Sequence, residues 1–256
     1  LEGWGRCLLS HSDTDIIPRK EILQMRQEMA DYEFAQEMEC SFNAAVRGAY
    51  FGKVLADAQE AGRITSVPYD PALPVSTCWD LGIADATAIW WIQASPGGEI
   101  RLIDYEEYHG ASLPDIIKQL REKPYHYGDG VHIAPHDIRV RELGTGTSRI
   151  EVAANNGVNF HVCRNMPLMD GIDATRNMLA KTWIDEANCR QGLNFLQLYR
   201  SDFNAKTGVA SIRPLHDHTS HAADALRMYA VEMGQRQGVG GWGAGINYDM
   251  LDRRAV

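Results

Sequence analysis

Positive charge is scarce in this sequence. Its 25 Lys and Arg are outnumbered by 34 Asp and Glu, for a net charge of −9. A protein coated in basic surface is thereby excluded, and any nucleic-acid contact has to be a local patch. Long apolar runs are missing too. No stretch of about 18 uncharged apolar residues occurs, so the sequence predicts no membrane-spanning helix. No basic-then-apolar region opens the chain, and a secretory route is unsupported. The 5 cysteines, Cys7, Cys40, Cys78, Cys163 and Cys189, are odd in number and include no C-x-x-C pair. That argues against a disulfide framework or a cysteine zinc site and fits a reducing cytoplasm, with the thiols as small buried hydrophobes.

What is present is ordinary globular composition. The 256 residues are 45% hydrophobic and 23% charged, enough for one large domain or two small ones with a real core. The chain opens on Leu1-Glu2-Gly3-Trp4-Gly5-Arg6, which reads as mid-chain sequence and is expected to belong to a fragment or an excised domain. Pro18 starts a helix on which Ile22, Met25 and Met29 recur at helical spacing. No apolar strand pattern precedes Val75, so residues 1–70 are expected to form a helical arm or linker, stiffened at its end by Pro68, Pro71 and Pro74.

From residue 71 to 233 the pattern is mixed α/β. Strands are predicted at Val75–Trp79, Thr87–Ile92 and Ile100–Tyr105, with joints short enough for antiparallel neighbours. A helix with Leu113, Ile116, Ile117 and Leu120 on one face follows, then strands at Val131–Pro135 and Val158–Val162. Helical patterns are predicted over 171–186, 190–204 and 220–233. Trp79, Trp90 and Trp91 are expected in the core, and Asp104, alternating along its strand, at the surface. Residues 234–256, with five glycines between Gly234 and Gly243, are expected to be a flexible tail.

Three aspartates occupy unusual places. Asp80 ends the first strand, Asp137 follows the short strand 131–135, and Asp224 sits among alanines on the last helix. A carboxylate on an apolar helix is costly to bury unless it is paired or binds a metal. Acids from two strand ends and a covering helix can share a cleft, where a divalent cation relieves their repulsion. Oxygen-only ligands suit Mg2+ or Mn2+. Asp85, Asp217 and His221 are second-tier candidates for outer or alternate metal contacts. Arg139, Arg141 and Arg149, around the Gly-rich stretch Gly144-Thr145-Gly146, are candidates for holding DNA phosphates from a mobile loop. His216, Asp217, His218 and His221 also admit a zinc reading, although the spacing is not that of a zinc helix motif.

Here a resemblance becomes specific. Cys78-Trp79-Asp80-Leu81-Gly82, followed by Asp85-Ala86-Thr87-Ala88-Ile89-Trp90, resembles the first acidic motif of the nuclease domain in large terminase subunits, the DNA-packaging motors of tailed bacteriophages. Ala134-Pro135-His136-Asp137 resembles the second motif, and His216 to Arg227 the third. The segment Phe34 to Phe42, with Gly48-Ala49-Tyr50-Phe51, resembles the end of the ATPase domain and its link to the nuclease. The matches keep their order over roughly residues 30–230.

This resemblance implies an RNase H-like fold, a mixed central β-sheet flanked by helices. It implies that Asp80, Asp137 and Asp224 hold two divalent ions, Mg2+ or Mn2+, for hydrolysis of double-stranded viral DNA during packaging. It implies as partners duplex DNA, the ATPase domain of a full-length subunit, a portal and a small terminase subunit, with no membrane, in the host cell cytoplasm. The sequence departs from the family in having no Walker A loop, G-x-x-x-x-G-K-[ST], so no ATP hydrolysis is expected of this chain alone. Two alternatives stand beside it. One is a resolvase-like nuclease acting on branched DNA. The other is a portal-docking module with a vestigial acidic site, for which Trp242 and Tyr248 of the tail are contact candidates.

Overall fold

The computed structural model describes residues 16–28, 34, 38, 48–82, 86–141, 144, 146–204 and 209–236. The expected tail beyond Arg236, Asp85, and most of the segment 29–47 lie outside the described residues.

The centre is a meander of three long strands: β2 (Val75–Leu81), β3 (Ala86–Ala94) and β4 (Ile100–His109), paired antiparallel. Among the described residues four shorter strands complete the sheet. They are β1 (Ile64–Thr65), β5 (His132–Ala134), β6 (Phe160–Val162) and β7 (Thr182–Asp185), giving the order β1-β7-β4-β3-β2-β5-β6. Every pairing of this sheet outside the meander is parallel. The middle strand β3 is buried on both faces over eight consecutive residues, from Ala86 to Gln93, which explains its nearly continuous apolar sequence.

Helices cover both faces. Cys78, Trp90, Ile92 and Leu102 face α2 (Gly52–Glu60), α5 (Leu168–Leu179), α6 (Arg190–Leu198) and α7 (Ser220–Arg236). Trp79, Ile89, Trp91 and Ile103 face α3 (Leu113–Glu122) and α4 (Arg149–Asn155). A separate helix, α1 (Arg19–Glu28), lies in the N-terminal segment. Local chemistry sets the helix starts. Ser112 accepts from the Asp115 amide ahead of α3, and Ser148 and Glu151 form a reciprocal capping box on α4. Trp79, Trp90 and Trp91 are fully buried, as expected.

Several sequence expectations need correction. The pattern over 171–186 is not one helix: α5 ends at Leu179, and Thr182–Asp185 form β7 between β1 and β4. Thr182, Trp183 and Ile184 are β-branched or aromatic, and the pleated surface of β4 offers them partners. The pattern over 190–204 also splits. The backbone turns extended at Tyr199, and β8 (Ser201–Asn204) pairs antiparallel with β9 (Val209–Pro214). Strand β1 falls in the segment read as an arm. There Phe51, Val54, Leu55 and Ala58 pack into the same core as α7.

Asp104 is buried, not at the surface. Trp91 pairs with Asp104 while Ile92 pairs with Leu102, so Ile103 is an extra residue, a β-bulge that resets the alternation of β4. Asp104 therefore turns to the α3 face, where Lys123 Nζ donates to it at 2.6 Å and the Tyr125 hydroxyl at 3.0 Å. Lys123 also lies 4.8 Å from the Trp91 ring centroid, so the buried charge is both paired and shielded.

Beneath α4, the Trp79 indole donates to the Thr77 hydroxyl at 2.6 Å, and that hydroxyl lies 2.7 Å from His132 Nδ1. Burial pushes the His132 imidazole down to about 4 from 6.5. An unfolded chain therefore binds more protons than the native one between those two values. His132 contributes stability that is complete above about 6.5 and lost as the pH falls towards about 4. Urea midpoints measured across this interval are expected to fall with acidity, and His132→Asn is expected to flatten that slope.

Candidate functional site

Asp80 and the helix α7 are brought together by the sheet's centre. On β2 the side chains alternate, so Cys78 and Asp80 face α7 while Trp79 faces the opposite layer. Helix α7 is laid against β2 and β3 by Ala222, Ala223, Ala225 and Leu226, all buried. Its small residues allow close approach, and the Trp90 indole donates to the Ala222 carbonyl at 2.9 Å. One turn of helix then presents His221 and Asp224 to the same side (i and i+3).

The contacts are specific. His221 Nδ1 lies 3.0 Å from Asp80 Oδ2, a contact spanning 141 residues of chain, and both side chains are largely buried. Arg227 grips a single oxygen of Asp224. Its Nε and Nη2 donate to Oδ1 at 3.2 and 3.0 Å. Burial raises the Asp224 carboxyl above its ordinary value; the Arg227 guanidinium opposes that rise, and the negative charge of Asp80 adds to it. Two acids thus sit close enough to repel in a partly dry setting, the condition that a hard cation relieves.

Asp137 is positioned differently. It stands on the short 3-10 helix His136–Arg139 that follows β5 and is exposed to solvent. Because Cys78 pairs with Ile133, Asp80 and Asp137 lie at the carboxyl ends of neighbouring parallel strands. Among the described residues no group of three or more His, Cys, Asp or Glu side chains is arranged to hold a metal ion. The donor chemistry of Asp80 and Asp224 fits a hard divalent cation.

The histidine-rich stretch does not form a zinc centre. Asp217 accepts from the amide and hydroxyl of Thr219, 2.9 and 2.5 Å away, in the turn that leads into α7. His218 packs edge-on to Phe195, His216 lies 3.2 Å from the Ser220 hydroxyl, and His221 turns to Asp80. Burial raises the Asp217 carboxyl, but the Thr219 hydrogen bonds together with the nearby His218 and Arg200 lower it, and it ends below its ordinary value.

The three arginines have different surroundings. Arg149 begins α4 rather than standing on a loop, and donates to the Leu81 carbonyl at 2.9 Å, one residue beyond Asp80. Arg141 pairs with Glu151 at 3.2 Å in solvent, and Arg139 is exposed beside Asp137.

Two residues were missed in the sequence. Ala88 pairs with both Asp80 and Glu107, which puts Glu107 on the Asp80 face of the sheet. The Tyr105 hydroxyl donates to Glu107 at 2.6 Å; burial chiefly, then Glu107 and Asp80, raises that phenol far above its ordinary value. A hollow of about 200 Å3 opens beside Asp224, lined by Tyr199, Arg213, His216, Ser220 and Arg227 among others.

An antiparallel meander whose first strand also carries a parallel neighbour, with an acid-bearing helix across it, is an RNase H-like fold. Comparison with solved structures narrows the likeness to phage large terminases. The chain is similar to the large terminase of a thermophilic bacteriophage, at 14% identity and a TM-score of 0.52, covering 88% of this chain and 54% of that one. It is similar to the P22 large terminase nuclease domain, at 13% identity and a TM-score of 0.50, covering 68% of this chain and 89% of that one. It is also similar to the large terminase nuclease of the thermophilic phage G20c, solved with bound magnesium, at 15% identity and a TM-score of 0.50, covering 72% of this chain and 97% of that one. At such identities the likeness is one of fold. The chain spans about half the length of the first of these three proteins. No protein-family model and no curated protein matches the sequence.

Proposed function

We propose that this chain is a metal-dependent endonuclease that cuts concatemeric double-stranded viral DNA during genome packaging. The observation that supports this most directly is the 3.0 Å contact between Asp80, from the central strand, and His221, from the covering helix, one turn before Asp224, whose buried carboxyl feels the charge of Asp80. The neighbours in fold are terminase nucleases, one of them with bound magnesium. In this proposal Asp80, Asp137 and Asp224 hold two ions, Mg2+ or Mn2+. Bound cations would supply an activated water and neutralise charge developing on the phosphodiester. The protein's own part is to orient the ligands. His221 fixes one oxygen of Asp80, and the buried setting strengthens every charge interaction at the scissile phosphate.

The other parts of the proposal follow from the family likeness. The nuclease domain would comprise residues 71–233 together with α2 and β1, which share their core and sheet; the rest of 1–70 would be an arm from an ATPase domain, and the residues after α7 a tail. An ATPase domain, a portal and a small subunit would deliver DNA in the host cytoplasm. Arg139, exposed on the short 3-10 helix, is the best placed of the three arginines to meet DNA phosphates, since Arg141 is paired with Glu151 and Arg149 is engaged with the end of β2. The deciding experiment is digestion of supercoiled plasmid with Mn2+, against an EDTA control and a four-way junction. Metal-dependent cutting of plain duplex, with no preference for the junction, is expected. Preference for the junction would indicate a resolvase-like enzyme. Absence of both cutting and Mn2+ binding at millimolar concentration would indicate a docking module.

A further inference from the structure

Helix α5 carries a glycine, Gly171, in its first turn and fully in the core layer, a position where Ala would be the better helix former. Its φ is not in the left-handed region, so the backbone does not require glycine there. Space does. A Cβ added at Gly171 would stand 2.8 Å from Arg227 Cδ and 2.9 Å from Cγ, closer than real side chains approach. The stem of Arg227 therefore runs through the gap that the missing side chain leaves on α5. The head of Arg227 is fixed by two nitrogens on Asp224 Oδ1, so the stem cannot swing aside without releasing that oxygen.

From this geometry we infer that Arg227 is a positioning residue for Asp224, and that Gly171 is the cradle that lets it act. Both donated hydrogen bonds fall on Oδ1, which leaves Oδ2 as the oxygen with free lone pairs for a cation. The guanidinium thus selects which oxygen of Asp224 serves as ligand and holds the carboxylate plane. The inference rests on the proposed role of Asp224 as a metal ligand. It adds that two residues touching neither cation nor DNA determine how well that ligand is presented. A planar fork is suited to this, and an ammonium is not, because a lysine offers one point of donation on a flexible stem.

Two variants test it without deleting the charge. Gly171→Ala keeps Arg227 but crowds its stem. Arg227→Lys keeps the charge but cannot make the two-nitrogen grip. Partners that orient metal ligands typically contribute about 10–100-fold to metal affinity or activity. Each variant is expected to weaken Mn2+ binding, read by calorimetry on the full chain, by about tenfold or more, and to lower the cleavage rate at saturating Mn2+. Duplex binding in Ca2+ is expected to stay within about twofold of the parent, which a general loss of structure would not allow. Circular dichroism and a thermal melt confirm that each variant is folded; if Gly171→Ala is not, Arg227→Lys alone decides. Mn2+ affinity and turnover within twofold of the parent in a folded variant would overturn the inference. A parent chain that neither binds Mn2+ nor cuts DNA would instead overturn the proposed function on which it stands.

Discussion

Plasmid cleavage in Mn2+ is expected to fall by more than about a hundredfold when alanine replaces Asp80 or Asp224, beyond the loss caused by removing a residue that merely supports a metal ligand. The same loss is expected for Asp137→Ala, but with a different stability signature. Asp137 is exposed on its short helix and has no side-chain hydrogen bond or ion pair among the described residues, so its replacement should change unfolding free energy by less than about 0.5 kcal/mol. Asp80→Ala removes one partner of His221 and the repulsion felt by Asp224. Asp224→Ala leaves the largely buried Arg227 head without its acceptor. Those two should therefore alter stability as well as activity. Gel assays at matched enzyme concentration, with urea melts of the same preparations, check both. Full activity in Asp137→Ala would reduce the site to the Asp80–Asp224 pair.

The second large effect is on the scaffold. Trp90→Ala is expected to cost about 3–5 kcal/mol, the range for emptying a large aromatic site in a packed core. Trp90 is fully buried, its ring centroid lies 4.5 Å from that of Tyr105, and its indole donates to the Ala222 carbonyl at 2.9 Å. Gly192 on α6 packs so tightly on this ring that an added Cβ would stand 2.4 Å from it. Removal would open a cavity directly under the start of α7, the turn that carries His221 and Asp224. The urea midpoint should drop with the slope of the transition unchanged, since the same surface is exposed on unfolding. Trp90→Phe should recover most of the packing but not the hydrogen bond. A midpoint in Trp90→Ala close to the parent's would mean that α7 is held from elsewhere.

Much of this was legible in the residues. The meander was readable because short joints and closely spaced apolar segments leave few other pairings for Val75–Trp79, Thr87–Ile92 and Ile100–Tyr105. Asp80 and Asp224 stood out because an acid among Cys78, Trp79 and Leu81, or among alanines, conflicts with its surroundings. What stayed hidden depends on pairing across long stretches of chain. Strand β1 has only two residues, and β7 follows α5 closely enough that a helical period runs on through it. Arg227 lies three residues from Asp224, a spacing that on a helix signals a pair. Gly171 carries no local sign of the side chain that occupies its place. Asp104 was misplaced because alternation is counted from one end of a strand, and one extra residue reverses the count.

That extra residue, Ile103, has a wider consequence. It divides β4 into two halves of opposite phase. Upstream, odd and even positions face one pair of layers; downstream they exchange, and so Tyr105 and Glu107 look toward Asp80 while Asp104 and Glu106 meet Lys123. Substitutions cannot trade these two sets of acids. Gain or loss of a single codon in this strand can, and would do so wholesale, moving the acids held by a lysine into the cleft and those beside the cleft into the opposite layer. Indels here should be far less tolerated than point changes, which makes the length of this strand, more than its composition, the property that selection would guard.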